Sequence, residues 1–201
     1  MDFTLLSKNL EKKGYRVSVF ATKQEAADYL NDEIDGETVG FGGSMTLHAL
    51  ELYDRLLTHN AVLWHSKRSD PFLKEHDLKK AMRADVYLSS VNGIAETGEI
   101  INIDGTCNRV AATLYGHEKV YFVVGKNKLA EDYDKALWRA RNIAAPKNAF
   151  RLKTKTPCAE MGDQCYDCKS PARICRALSV LWCAPTGSQY EVVLVKEDLG
   201  Y

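Results

Sequence analysis

The chain has 201 residues, of which 45% are hydrophobic and 27% are charged, as expected of one globular domain with an ordinary core. Its 27 lysines and arginines balance its 27 aspartates and glutamates, which argues against a basic surface for nucleic acids or anionic membranes. The apolar runs are far shorter than the roughly 18 residues of a membrane span. The N-terminal segment carries charges throughout and lacks the apolar stretch of a signal peptide, which predicts a cytoplasmic protein without stable disulfides.

Helices and strands are predicted to alternate along most of the chain. Apolar residues at helical spacing (Phe3, Leu6, Leu10) predict a first helix, which ends at Gly14. Further helices are predicted from a capping box at Thr22 and Glu25 to about residue 30, and over residues 44–59, 70–84, 108–116 and 129–145. Strands are predicted at residues 15–20, 38–43, 61–65, 85–92, 119–125, 177–184 and 190–200, with a hairpin or bend around Thr97 and Gly98.

This alternation is typical of an α/β fold with a mostly parallel sheet, helices on both faces and, in this chain, two antiparallel C-terminal strands. No repeat or linker divides the sequence, so residues 1–201 are expected to form a single domain that includes a cysteine-rich loop at 156–176. Ligands of such sheets bind at the carboxyl ends of the strands. The glycine-rich segments that follow predicted strands are therefore the candidate binding segments.

The first such segment is "GFGGSMT" at residues 40–46. Gly42 and Gly43 allow a close approach to the backbone, the following helix offers free amide groups, and Ser44 or Thr46 adds a hydroxyl. The segment has neither the spacing of a phosphate-binding Walker loop nor that of a dinucleotide-binding motif. It predicts a site for a phosphate or carboxylate, and the alternative is a tight turn capped by Ser44.

The second segment, at residues 89–111, concentrates small polar residues between two predicted buried strands. Such groups are costly to bury unless they are paired, which makes Glu96 a candidate catalytic base or nucleophile. Asn108 and Arg109 are candidate ligands for a carboxylate or phosphate. In the alternative interpretation, Asp104 and Asn108 cap a helix, and Arg109 pairs internally with Asp104 or Glu96.

Four of the six cysteines form a C-x6-C-x2-C-x6-C array: Cys158, Cys165, Cys168 and Cys175. Four thiolates repel one another unless a cation neutralises them, and C-x2-C spacing suits ligands of one metal ion or cluster. A [4Fe–4S] cluster and a zinc ion both take four cysteines, although the array matches neither a zinc ribbon nor the ferredoxin spacing. The same cysteines could instead stay metal-free as thiols or form two disulfides. The histidines are interpreted mainly as surface or core residues. Lys126 and Lys128 in "GKNK" follow the carboxyl end of a strand and could contact an anionic ligand, although solvated loop charges are the commoner case.

Several of these segments together resemble the LUD-domain family, which is named for lactate utilisation and includes lactate utilisation protein C. The resemblance rests on "GFGGSMT", on the run that begins "AETGEIINIDGTCNRVAATLYG", and on the cysteine array followed by "VVLVKEDLGY". It implies an α/β fold related to the sugar-phosphate isomerase and CoA-transferase superfamily. It also implies that Gly42, Gly43, Ser44 and Thr46 face one cleft together with Glu96, Thr97 and Gly98. Glu99 departs from the T-G-T-I pattern of many members.

The resemblance further implies a role in organic-acid utilisation, because lactate utilisation protein C acts beside iron–sulfur partners when L-lactate is oxidised to pyruvate. Our leading hypothesis is that the protein binds a small anionic metabolite, either a lactate-like carboxylate or a phosphate ester, between residues 40–46 and 96–109. One alternative is an iron–sulfur electron-transfer or assembly subunit without its own active site. Another is an isomerase or transferase that uses Glu96. A homodimer is the commonest soluble assembly.

Overall fold

Six parallel strands form the main sheet of the computed structural model, which describes residues 2–201. In chain order the helices and strands are α1 (Thr4–Lys12), β1 (Arg16–Phe20), α2 (Lys23–Glu33), β2 (Thr38–Phe41), α3 (Met45–Leu50), α4 (Tyr53–Leu56), β3 (Ala61–Leu63), α5 (Pro71–Ala81), β4 (Val86–Ser90), β5 (Gly93–Ala95), β6 (Ile100–Asp104), α6 (Asn108–Ala112), β7 (Lys119–Gly125), β8 (Leu129–Ala130), α7 (Tyr133–Arg139), α8 (Ala145–Arg151), α9 (Pro157–Met161), β9 (Ala177–Leu181) and β10 (Gln189–Val195). Short 3₁₀ helices lie at His65–Lys67 and Lys126–Lys128, and a π-helical segment lies at Ala140–Ala144.

The main sheet has the strand order β1-β10-β7-β4-β2-β3. Strands β4, β7 and β10 are buried almost throughout, as expected of central parallel strands covered on both faces. The first and last strands of the chain are neighbours, with Arg16 opposite Glu191. The carboxyl ends of all six strands therefore meet at one edge of the sheet, which we call the carboxyl edge.

Helices cover both faces of this sheet, as predicted. Successive residues of a strand point to opposite faces, so the sheet separates two cores. Phe122 and Val124 of β7 pack in one core together with Leu6 and Leu10 of α1, whereas Val123 packs in the other core with residues of α2 and α3. Within residues 2–201, no helix is both long enough and apolar enough to cross a bilayer.

A second, smaller sheet has the order β8-β5-β6-β9. The predicted hairpin is confirmed, because β5 and β6 are antiparallel and are joined at Thr97 and Gly98. Helix α7 packs closely on this sheet, since a Cβ atom at Gly93 would lie only 2.5 Å from the carbonyl oxygen of Ala136. The small sheet thereby holds α7 beside the carboxyl end of β4, where the chain passes from one sheet to the other.

Two predicted features differ in the structure. Strand β9 is antiparallel to β6 as expected, but the last strand, β10, lies parallel between β1 and β7. Its continuous apolar run is buried on both faces, which suits a central parallel strand better than an antiparallel end strand. The single helix expected over residues 44–59 is broken into α3 and α4, because Glu51 adopts a left-handed conformation with φ of 54°.

Candidate functional site

The glycine-rich segment lies at the carboxyl edge, directly after β2. The amide of Gly42 donates to the carbonyl oxygen of Leu88 (2.9 Å), and the Ser44 hydroxyl accepts from the Leu47 amide (3.4 Å) and caps α3. Gly43 is exposed and Ser44 is half-buried, so this turn forms part of the surface of the edge. A Cβ atom at Gly42 would lie 3.1 Å from Cγ of Arg109. The predicted proximity of Arg109 to the glycine-rich segment is therefore observed.

Lys128 occupies the interior of the carboxyl edge and is only 3% exposed. Its Nζ donates three hydrogen bonds, to Oγ1 of Thr46 (2.7 Å), Oγ of Ser90 (2.9 Å) and the carbonyl oxygen of Val91 (3.0 Å). All three acceptors are neutral. Burial lowers the pKa of Lys128 well below its usual value, and the nearby charges of Arg139 and Arg109 act in the same direction.

The hydroxyl groups of Thr46 and Ser90 link Lys128 to two backbone carbonyl groups. The Thr46 hydroxyl donates to the carbonyl oxygen of Leu199 (3.1 Å), and the Ser90 hydroxyl donates to that of Val123 (2.6 Å). Each hydroxyl therefore accepts one hydrogen bond from Lys128 and donates one to a backbone carbonyl. This pattern matches the three donors of a charged ammonium group.

Arg109 joins the ends of β4 and β6 through neutral acceptors. One terminal nitrogen donates to Oδ1 of Asn102 (2.5 Å) and to the carbonyl oxygen of Ser90 (3.3 Å). The other donates to Oδ1 of Asn92 (3.2 Å) and to the carbonyl oxygen of Ile103 (2.8 Å). Burial lowers the pKa of Arg109. Ser90 contacts both Arg109 and Lys128, so these two cations belong to one network.

The internal partners that we considered for Arg109 are not the ones observed. Its side chain bonds to neither Asp104 nor Glu96. Instead, Oδ2 of Asp104 accepts from the amide of Val110 (3.1 Å) and caps α6, as the alternative interpretation predicted. Asn108 is the first residue of α6 and is half-buried, and its side chain makes no hydrogen bond within residues 2–201.

Arg139, on α7, is the third cation of this region and is 7% exposed. It donates to the carbonyl oxygens of Asn127 (2.8 Å) and Asn92 (2.5 Å), and burial lowers its pKa to about 10. Asn92 thus contacts both Arg139 and Arg109. We call Arg109, Lys128 and Arg139 the cation cluster. In the part of the chain that the structure describes, none of the three forms an ion pair.

Two histidines lie near the glycine-rich segment at the carboxyl edge. The Nε2 atom of His65 would lie 3.4 Å from a Cβ atom at Gly43, and His48 stacks on Trp64 with ring centroids 4.3 Å apart. Burial lowers the pKa of both histidines, and the charge of Lys67 lowers that of His48 further. The lowered pKa values favour neutral imidazole groups at this edge.

Glu96, Thr97 and Gly98 lie elsewhere. The carbonyl oxygen of Glu96 accepts from Nδ2 of Asn9 (2.8 Å), and a Cβ atom at Gly98 would lie 2.8 Å from Cδ of Lys13. Both contacts are to the C-terminal part of α1, which leads into the amino end of β1, so the hairpin turn points away from the carboxyl edge.

The carboxylate of Glu96 is half-exposed and makes no hydrogen bond or ion pair within residues 2–201. Glu99 is instead paired with Lys13 at 3.0 Å and accepts from the hydroxyl of Thr97. Burial alone would raise the pKa of Glu99, but these two partners hold it below its usual value. Glu99 therefore secures the hairpin turn to α1.

The four cysteines of the array line one cavity of about 270 Å³ between α7, α8 and β9. All six cysteines of the chain are free thiols. Within residues 2–201, no three histidine, cysteine, aspartate or glutamate side chains converge closely enough to hold a metal ion. The array is thus brought to one place, with its thiols around a cavity.

Sequence reasoning missed most of the cation cluster. The sequence favours a solvated loop charge at Lys128 and indicates no role for Arg139, but both side chains are buried. The one signal in the sequence is the position of Lys128 just after the carboxyl end of a buried strand, and Lys126 has the same signal. The neighbouring sequence contains no feature that distinguishes the buried Lys128 from the half-exposed Lys126.

Comparisons with known proteins agree with this architecture. A family model described as the LUD domain matches residues 4–195, whereas no curated protein matches the chain significantly. Among solved structures, the crystal structure of a DUF162 family protein from Deinococcus radiodurans is similar, with a TM-score of 0.52 and 14% sequence identity. The similarity covers 97% of this chain and 99% of that one, and at this identity it shows a shared fold. With the family model matching nearly its whole length, the chain belongs to the LUD domain family.

Proposed function

We propose that the protein binds a small anionic metabolite, either a lactate-like carboxylate or a phosphate ester, at the carboxyl edge, and acts in organic-acid utilisation. The anion lies at the surface formed by Gly43 and Ser44, next to the buried Gly42 that packs on Arg109. One observation carries the proposal: the three members of the cation cluster are held by neutral acceptors and have no carboxylate partner within residues 2–201. The family, named for lactate utilisation, supports the choice of substrate class.

Burial of the cation cluster costs free energy. A buried cation without a counter-ion is destabilising, and hydrogen bonds to neutral groups offset only part of that cost. Two further cations beside Lys128 add repulsion, as the lowered pKa of its ammonium group indicates. A bound anion would reduce both the cost of the unpaired buried cations and the repulsion among them. The apo protein is thus arranged so that binding of a negative charge stabilises the folded state.

The cation cluster acts on the anion through the protein interior. Leu199 and Gly200 cover Thr46, because a Cβ atom at Gly200 would lie 2.7 Å from its Oγ1 atom, and they separate Lys128 from solvent. Charges roughly 8 Å apart still interact by about 2 kcal/mol at an effective dielectric constant of about 20. Direct contacts come from the exposed turn at Gly43 and Ser44.

Glu96 has no part in this proposal. A role as base or nucleophile would require the substrate to reach the hairpin turn on α1, away from the cation cluster. The half-exposed carboxylate of Glu96 also lacks any partner in residues 2–201 that would orient it. The isomerase or transferase alternative therefore has no geometric support at the carboxyl edge.

Calorimetry tests the proposal with L-lactate, pyruvate, inorganic phosphate and a sugar phosphate as separate titrants. Lys128→Met is expected to weaken binding at least about tenfold, since about 1.4 kcal/mol of charge attraction corresponds to a factor of ten. Lys126→Met is the matched control, because it removes a charge from the same short helix without touching the network. Equal affinities of the wild type and Lys128→Met would contradict the assignment.

A further inference from the structure

The cavity that the cysteine array lines has an unusual combination of walls. Cys158, Cys165, Cys168 and Cys175 all reach it, from a helix and from the loop that follows. Its other walls include apolar side chains from three further elements, Ile103, Leu137 and Leu178. Four thiols from different points of the sequence thus line the same cavity.

Two of these sulfur atoms accept hydrogen bonds, and a third lies within hydrogen-bond distance of a hydroxyl group. The Asp167 amide points at Sγ of Cys165 (3.4 Å), Nε of Arg173 at Sγ of Cys175 (3.2 Å), and Oγ1 of Thr156 lies 3.4 Å from Sγ of Cys158. Asp167 has a left-handed φ of 47°, which turns the chain between Cys165 and Cys168 and aims its amide at the sulfur. Hydrogen bonds to ligand sulfurs are also a regular feature of iron–sulfur sites.

The charges around the cavity suit an anionic metal–thiolate centre. Arg141, Arg173 and Arg176 line it, and no carboxylate within residues 2–201 does so, although Arg141 is paired with Asp167 at 3.0 Å. Arg173 also donates to the carbonyl oxygen of Cys168 (3.2 Å), which ties its guanidinium to the array. Four thiolates exceed the positive charge of an iron–sulfur core, and the arginines would balance the remainder.

The size of the space distinguishes a cluster from a single ion. Zinc binds thiolates at about 2.3 Å, which places the sulfurs of a tetrahedral site only about 3.8 Å from one another. Within residues 2–201, no three ligand side chains lie close enough together for such a zinc site. The four thiols instead line a cavity of about 270 Å³. A cubane of iron and sulfide lies between its four cysteine ligands and therefore needs such a space.

The loop that carries the last three cysteines is anchored at several points. The Arg176 amide donates to the carbonyl oxygen of Asp104 (3.0 Å), and the Ser170 hydroxyl donates to that of Lys155 (2.9 Å). A Cβ atom at Gly105 would lie 2.9 Å from the carbonyl oxygen of Ile174, so only glycine allows this close approach. These contacts anchor the C-terminal part of the loop to β6 and to the segment before α9.

From this geometry we infer that the cavity holds a [4Fe–4S] cluster ligated by Cys158, Cys165, Cys168 and Cys175. When bound, the cluster supplies one-electron transfer. Ile103 connects it to the carboxyl edge, because this residue lines the cavity while its carbonyl oxygen accepts from Arg109. The inference does not depend on the anion site and would stand if that proposal failed.

The test is metal analysis of protein purified anaerobically from iron-supplemented cells. About four irons and about four acid-labile sulfides per chain are expected, with a broad visible absorption that dithionite bleaches by donating one electron, and an EPR signal of the reduced cluster. Stoichiometric zinc without iron would overturn the inference. So would an iron-free protein whose cysteines are all alkylated by a thiol reagent or are all in disulfides.

Two sets of variants separate ligands from other cysteines. Cys165→Ser and Cys168→Ser are expected to lose most of the iron and the EPR signal, whereas Cys107→Ser and Cys183→Ser keep both, because these two cysteines do not line the cavity. Far-UV circular dichroism shows whether each variant folds. If the ligand variants fail to fold, the iron and sulfide content of the wild type decides the question alone.

Discussion

Replacement of Arg109 by methionine is expected to lower the free energy of unfolding by about 2–4 kcal/mol. The guanidinium donates four hydrogen bonds to acceptors at the ends of β4 and β6, and methionine fills a similar volume without any donor. Each buried acceptor left without a partner costs about 1–3 kcal/mol, and the loss of a buried charge offsets part of this cost. Urea denaturation followed by circular dichroism measures the change.

Two further variants make this result specific. Arg109→Lys keeps the charge but has fewer donors, so its stability should fall between those of the wild type and Arg109→Met. Arg83→Met is the control, because Arg83 is exposed and its side chain makes no hydrogen bond or ion pair within residues 2–201, and surface changes of this kind usually cost less than about 0.5 kcal/mol. An Arg109→Met midpoint equal to that of Arg83→Met would show that Arg109 does not hold the two strands together.

Replacement of Lys128 by methionine is expected to have the opposite effect on the protein without ligand. The change removes a buried charge that has no anionic partner in the described chain, and this gain exceeds the loss of three hydrogen bonds, because the Thr46 and Ser90 hydroxyls keep their bonds to backbone carbonyls. The free energy of unfolding of Lys128→Met should therefore exceed that of the wild type near neutral pH.

The pH dependence of this difference follows from the lowered pKa of Lys128. The unfolded chain holds the lysine proton up to about pH 10.4, whereas the folded chain releases it at lower pH, so the wild type gains stability as pH rises between these two values. Lys128→Met lacks this titration. The advantage of the variant should thus be greatest below the folded pKa and should shrink towards about pH 10. Parallel stability curves of the two proteins from about pH 6 to about pH 10 would contradict a charged, buried lysine.

Hydrophobic patterning predicted the fold more reliably than the site. The runs at 119–125 and 190–195 are apolar enough to be buried on both faces, and they form the centre of the parallel sheet. The direction of the last strand was wrong because periodicity identifies a strand but carries no information on its partners. The break at Glu51 was missed because a left-handed residue other than glycine has no clear signal in sequence.

The candidate site was predicted in part. Gly42, Thr46 and Arg109 follow strand ends, and the structure places all three at the carboxyl edge. Glu96 is close to Arg109 in sequence, but the β5–β6 hairpin carries it to α1. The burial of Lys128 depends on residues from distant segments, among them Thr46, Ser90 and Leu199, and such long-range packing cannot be read from the residues beside it.

If the cation cluster binds an anion, the pKa of Lys128 should respond to that anion. Nitrogen-15 NMR of labelled lysine side chains can follow the Nζ atoms of Lys128 and Lys126 through a pH titration, with and without saturating L-lactate, pyruvate or inorganic phosphate. We expect a pKa of Lys128 that is low in the free protein and rises by about one unit or more when an anion binds, while the Nζ signal of Lys126 does not respond to the anion. A Lys128 pKa that none of the three anions shifts would contradict it.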